Sequence, residues 1–140
     1  MMALNKKINE LNEMFSVFDN PMDKYSQIIE LGKNNPGLLN EDKNDINKIS
    51  GCTSLAWVIT TKKNNNFYIS IDSDTFIVKG LLNILKIIID GQTKKDILKL
   101  DIQNILNTIG LKNALTSQRT NGFSSALNKI KKQIIDINGR

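Results

Sequence analysis

Three successive segments decide the fold: Leu55–Thr61 (LAWVITT), Phe67–Asp72 (FYISID) and Phe76–Ile89 (FIVKGLLNILKIII). In the second, Phe67, Ile69 and Ile71 alternate with Tyr68, Ser70 and Asp72, the period-two pattern of a half-buried strand. The first is a short apolar run rich in β-branched and aromatic residues. The polar stretch Lys62–Asn66 between them reads as a turn, so the pair predicts an antiparallel hairpin. The third segment is apolar nearly all round, which places it as a central helix, with an N-cap expected among Ser73, Asp74 and Thr75.

Upstream, Leu4, Ile8, Leu11 and Phe15 follow helical spacing. Asp19-Asn20-Pro21 offers a cap and a first-turn proline for a second helix, expected to reach about Leu31 with Met22, Tyr25, Ile28 and Ile29 inward and Gly32 as its left-handed stop. Residues 38–54 read as an extended polar connection long enough for a functional loop, with a third strand expected near Ile46–Ile49. Downstream, Asp90-Gly91 ends the central helix, and Thr93 with Asp96 imitates a capping box. Asp101 and Gly110 bracket another helix. Thr116 or Ser117 opens the last, whose stripe is Phe123, Leu127, Ile130, Ile134 and Ile137. The expectation is one α+β domain over residues 1–140, a small three-stranded antiparallel sheet packed on one side by helices.

Composition narrows the chemistry. The 140 residues hold one cysteine and no histidine. That removes an internal disulfide, imidazole-built zinc sites, and Ser-His-Asp or Cys-His catalysis. Lys and Arg total 19 against 14 Asp and Glu, a net charge of +5, and only Arg119 and Arg140 are arginines. A basic nucleic-acid-binding module is one reading of that charge. A solvated lysine-rich surface is the other, since the lysines are dispersed and aromatics are only 6%. Met1–Asn20 lacks the continuous apolar core of a signal peptide, and Phe76–Ile89 is too short and too interrupted to span a bilayer. A cytoplasmic protein with a reduced thiol is expected.

Two polar clusters stand out. In Ser50-Gly51-Cys52-Thr53-Ser54, a thiol follows a glycine at the end of the long connection. A buried cysteine acting as a small hydrophobe is the plain alternative, but its neighbours here are small and polar. Thr116-Ser117-Gln118-Arg119-Thr120-Asn121-Gly122 opens a helix, where free amides and Arg119 favour an anion. An ordinary capped helix start is the alternative there. Asp72-Ser73-Asp74 reads first as capping and only weakly as a metal site, and Tyr25 and Trp57 as core or core-edge residues.

Taken together, these motifs resemble the SufE family, sulfur acceptors that activate type-II cysteine desulfurases in iron–sulfur cluster assembly. Gly51-Cys52-Thr53-Ser54-Leu55-Ala56-Trp57 is similar to that family's G-C-x-S-x-x-W segment. Ser73-Asp74 with Ile77-Val78-Lys79-Gly80-Leu81 resembles its S-D-x-x-I-V-K-G-L segment, and Asp90-Gly91-Gln92-Thr93 its D-G-x-T turn. Gly110-Leu111, Leu115-Thr116 and Arg119-Thr120-Asn121-Gly122 resemble its C-terminal signature, and Tyr25 with Ile29-Glu30-Leu31-Gly32 its N-terminal helix. Ser117-Gln118 departs from the usual Pro-Ser, and Thr75-Phe76 from the usual small residues.

The resemblance implies a SufE/IscU-like fold and a persulfide carrier at Cys52, supported by Gly51, Ser54, Asp74, Arg119 and Asn121. It implies a SufS-type desulfurase as sulfur donor, which carries the pyridoxal phosphate, and a SufBCD-type scaffold complex as recipient. This chain would need no cofactor or metal of its own and would act as cosubstrate and activator rather than as an enzyme. A homodimer is compatible with the resemblance; nucleic acid and membrane are not expected partners. A structural cluster scaffold of the IscU kind is disfavoured by one cysteine and no histidine.

Overall fold

A computed structural model describes residues 2–51 and 54–138, and side chains within 4–51 and 54–137. Its centre is helix α3, Phe76–Ile89, capped by the Thr75 hydroxyl, which accepts from the Val78 N–H. Nine of its fourteen residues are buried, as a helix apolar all round requires.

Ahead of α3 run α1, Met2–Ser16, and α2, Pro21–Lys33, followed by a 3₁₀ turn at Asn40–Asp42. The hairpin strands are β1, Ala56–Lys63, and β2, Asn66–Ser73. They pair in antiparallel register, Val58 opposite Ile71 and Thr60 opposite Ile69. The strands run deeper into the Lys62–Asn66 stretch than expected. The turn is only Asn64-Asn65, closed by Asn64 at φ +58°. Ala56, Val58, Phe67, Ile69 and Ile71 form the buried face of the sheet against α3 and the last helix.

After α3 come β3, Gln92–Thr93, then α4, Lys94–Leu98, α5, Ile102–Ile109, and α6, Ser117–Asn138. Thr93 caps α4 through the Asp96 N–H, Asp101 caps α5 through the Asn104 N–H, and Gly110 closes α5 at φ +80°. The α6 stripe buries Phe123, Leu127, Ile130 and Ile134, with Ile137 packed at its edge.

Three local expectations are corrected. The third strand is β3, paired to β2, not Ile46–Ile49. The latter touches the other edge of the sheet: the Ile49 N–H donates to the Ala56 carbonyl and the Val58 N–H to the Asn47 carbonyl, an isolated bridge that turns away after one exchange. Asp90 makes β3 follow so closely. Its carboxylate accepts from the Ile69 N–H and pairs with Lys86 at 2.8 Å, while the Gly91 N–H donates to the Phe67 carbonyl. Met22 does not face inward but is 78% exposed, because it sits in the first turn of α2 ahead of the crossing with α3. Gly32 is not a left-handed stop. It lies inside α2, where a Cβ would come within 2.2 Å of the Phe76 carbonyl oxygen. A Cβ on Gly80 of α3 would come within 1.9 Å of the Ile28 carbonyl oxygen. The two glycines let α2 and α3 cross backbone to backbone.

Candidate functional site

The first two turns of α3 and of α6 converge on a shared pocket. Val78, Leu81 and Leu82 line it from α3; Gln118, Arg119, Gly122 and Phe123 line it from α6. Its free volume is about 10 Å³, room for one water-sized group. The walls are apolar, and Gln118 and Arg119 add the polar groups. At the head of α6 the Arg119 N–H donates to the Thr116 hydroxyl at 3.3 Å, and the Thr120 N–H to the Thr116 carbonyl at 3.0 Å. The Arg119 guanidinium makes no ion pair among the described residues. A permanently charged arginine beside a helix N-terminus suits an anion.

An anionic sulfur is favoured by a cation and free amide donors, so the sequence predicts the Arg119 helix start within roughly 10 Å of the cysteine loop, between Cα atoms; Cys52 and Thr53 lie outside the described residues, and that expectation with them. The chain on either side of them lies close to two helices. On the N-terminal side Gly51 sits at φ +83°, and a Cβ there would lie 2.9 Å from the Ser125 hydroxyl of α6, one turn beyond Gly122. A side chain is therefore opposed both by backbone conformation and by the helix. On the C-terminal side the Thr75 hydroxyl meets the Ser54 hydroxyl at 3.4 Å, and Thr75 is the cap of α3. Leu55 then accepts at its carbonyl from the Asp74 N–H and the Ser73 hydroxyl. Both flanks thus lie against the helices that line the pocket.

The proposed supporting residues fall into two groups. Gly51, Ser54 and Arg119 are drawn to this end of the molecule. Asp74 contributes its backbone N–H while its side chain is exposed, and Asn121 is exposed on the first turn of α6.

Asp72 is the carboxylate the sequence reading undervalued. It is buried and accepts from the Leu38 and Ser73 N–H groups. It also pairs with Lys43 at 3.1 Å and Lys79 at 3.5 Å. Burial alone would raise its pKa; the Leu38 N–H, Lys43, the Ser73 N–H and the Lys79 charge outweigh burial and hold it below 3.8. These partners tie the 34–43 connection to the strand that leads into Thr75. The outward phase of Asp72 on an alternating strand hid the role, since the chain that covers it comes from 34 residues upstream. The apolar pocket wall was hidden too, because Val78, Leu81, Leu82 and Phe123 read as ordinary core. Among the described residues, no three His, Cys, Asp or Glu side chains cluster closely enough to hold a metal ion.

A two-layer α+β architecture, with the cysteine-bearing connection close to two helices that meet at a pocket, defines the class. The family model "SufE: Fe-S metabolism associated domain" matches residues 9–134, and the chain belongs to the SufE family, with a role in iron–sulfur metabolism. It is 32% identical over 130 residues to an uncharacterized SufE-like protein of Rhizobium meliloti (strain 1021), covering 90% of this chain and 93% of that one. It is 34% identical over 130 residues to a second such protein, from Rhizobium etli, covering 90% and 88%. A solution structure of a hypothetical protein from Thermus thermophilus superposes with a TM-score of 0.77 at 15% identity, covering 96% of this chain and 97% of the other, a likeness of fold. No helix among the described residues is long and apolar enough to cross a membrane.

Proposed function

We propose that this protein is a sulfur acceptor, taking persulfide sulfur from a pyridoxal-phosphate-dependent, SufS-type cysteine desulfurase onto Cys52. One observation carries the reading: the residues flanking the sole cysteine, Gly51 beside Ser125 of α6 and Ser54 bonded to the Thr75 cap of α3, lie against the two helices that line an apolar pocket bordered by Arg119.

The Cys52 thiolate attacks the outer sulfur of the donor's persulfide. The donor's S–S bond breaks, its cysteine leaves as a thiolate, and Cys52 becomes the persulfide. The step moves one sulfur atom with no net change of oxidation state. With no second cysteine in the chain, the persulfide has no internal thiol to resolve it. Arg119 and the α6 amides favour the anionic sulfur. The protein acts as cosubstrate and activator in the cytoplasm and passes sulfur to a SufBCD-type scaffold.

Intact-protein mass spectrometry beside a turnover assay tests this. Wild type incubated with a cognate desulfurase and free cysteine gains one sulfur atom, removable by reductant, and speeds turnover. Cys52→Ser gains none and does not speed it. Activation by Cys52→Ser equal to that by wild type overturns the proposal.

A further inference from the structure

Beside Gly51, on the flank of α6, lies a cleft of about 310 Å³ lined by Lys48, Ser50, Ser125, Asn128, Lys129 and Lys132. Four of these, Ser125, Asn128, Lys129 and Lys132, follow an i, i+3, i+4, i+7 spacing and so share one face of α6. Lys48 and Ser50 come from the connection that leads into the cysteine loop, and Ser50 stands two residues before Cys52. The cleft is lined by three lysines, two serines and an asparagine, with no Asp or Glu.

The cations are not consumed internally. Lys129 donates to the Ile46 carbonyl at 3.0 Å, which steadies its head without neutralising it. Lys48 and Lys132 make no ion pair among the described residues. Asp136, one turn beyond Lys132, is exposed and does not pair with it within that set. A lysine-lined surface whose charge is uncompensated among the described residues favours an anionic complement. No aromatic ring lines it to stack a base, which weighs against single-stranded nucleic acid.

We propose that this cleft is the electrostatic docking site for an acidic segment of the sulfur donor, seating Asp or Glu side chains against Lys48, Lys129 and Lys132. The inference rests on the sulfur-acceptor reading and names the partner chemistry beside its cysteine. Its occupant is the desulfurase because the cleft and the cysteine share one short stretch of chain.

The test separates docking from chemistry. Binding of Cys52→Ser protein to the cognate desulfurase is measured by anisotropy at several salt concentrations, alone and with Lys48→Glu/Lys132→Glu added. The two reversals weaken binding roughly tenfold or more at low salt and flatten its salt dependence. In the Cys52 background they raise the concentration for half-maximal activation by a similar factor and leave maximal activation unchanged. Lys48→Arg/Lys132→Arg binds as the parent does. Reversals at exposed Lys6 and Lys95, outside the cleft, have little effect.

Unchanged affinity and salt dependence in the double reversal, with wild type activating normally, overturn this inference alone. A fall in maximal activation at unchanged half-saturation overturns it as well. Binding of a random-sequence oligonucleotide more tightly than the desulfurase, abolished by the same reversals, assigns the cleft to nucleic acid instead. Failure of wild type to activate any desulfurase removes the sulfur-acceptor reading and this inference with it.

Discussion

Gly80→Ala is the sharpest test of how α3 is held. Helix propensity alone predicts a gain of about 1 kcal/mol, since alanine replaces glycine inside a helix. The tertiary structure predicts the opposite sign. The new Cβ would stand 1.9 Å from the Ile28 carbonyl oxygen and 2.8 Å from the Ile28 Cγ2, with Ile28 itself fully buried in α2. The main obstacle is backbone, so no rotamer change relieves it. Restoring ordinary contact requires α2 and α3 to part by about 1.5 Å along a fully packed crossing, an overpacking cost at or above the usual range of roughly 1–3 kcal/mol. Set against the propensity gain, a cost at the top of that range leaves a net destabilisation of about 2 kcal/mol or more, which for a domain of this size is a fall of roughly 7 °C in Tm. Urea unfolding followed by circular dichroism, with a calorimetric scan, measures both. A Tm equal to or above wild type would refute the backbone-to-backbone crossing. Because the first two turns of α3 line the pocket, the same variant should also transfer sulfur more slowly well below its Tm.

Asp72→Ala leaves the half-buried Lys79 without its partner and frees the 34–43 connection, and should cost about 2–3 kcal/mol by urea unfolding. Because the folded pKa of Asp72 is lowered, its contribution is full above its unfolded value and is lost as pH falls through the folded one. The gap between wild type and Asp72→Ala should therefore be widest above about pH 4 and narrow on acidification below it; a pH-independent gap contradicts the ion-pair account. Gly110→Ala places a Cβ at ordinary contact distance, 3.6 Å from the Lys24 Nζ, yet should cost about 1 kcal/mol because φ there is +80°; a neutral result would show that the α5 stop is not strained. Arg119→Lys keeps the charge and loses the planar fork, so Cys52 persulfide formation should slow about tenfold with stability little changed, and wild-type rates would remove Arg119 from the sulfur-transfer step.

Much of this protein was legible locally. Period-two alternation over Phe67–Ile71, the predominantly apolar run Phe76–Ile89, and the caps Asn20, Thr75, Thr93, Asp101 and Gly110 depend on neighbours within four residues, and each appears as read. The motifs around Gly51, Asp74 and Arg119 were equally local, and they pointed to the family whose model matches residues 9–134. What required tertiary structure involves partners far apart in the chain. Gly32 looked like a helix stop because glycine ends helices, but the Phe76 carbonyl that demands it is 44 residues away. The third strand went to Gln92–Thr93 rather than Ile46–Ile49 because Asp90 locks the end of α3 to β2 and delivers the chain to that edge. Asp72 became a buried hub only when Leu38, Lys43 and Lys79 closed over it. Local conformational preference is set by a residue and its neighbours and is written in sequence. Which carbonyl a glycine meets, which cation a carboxylate finds and which lysines share a cleft depend on how whole elements pack, and packing alone decides them.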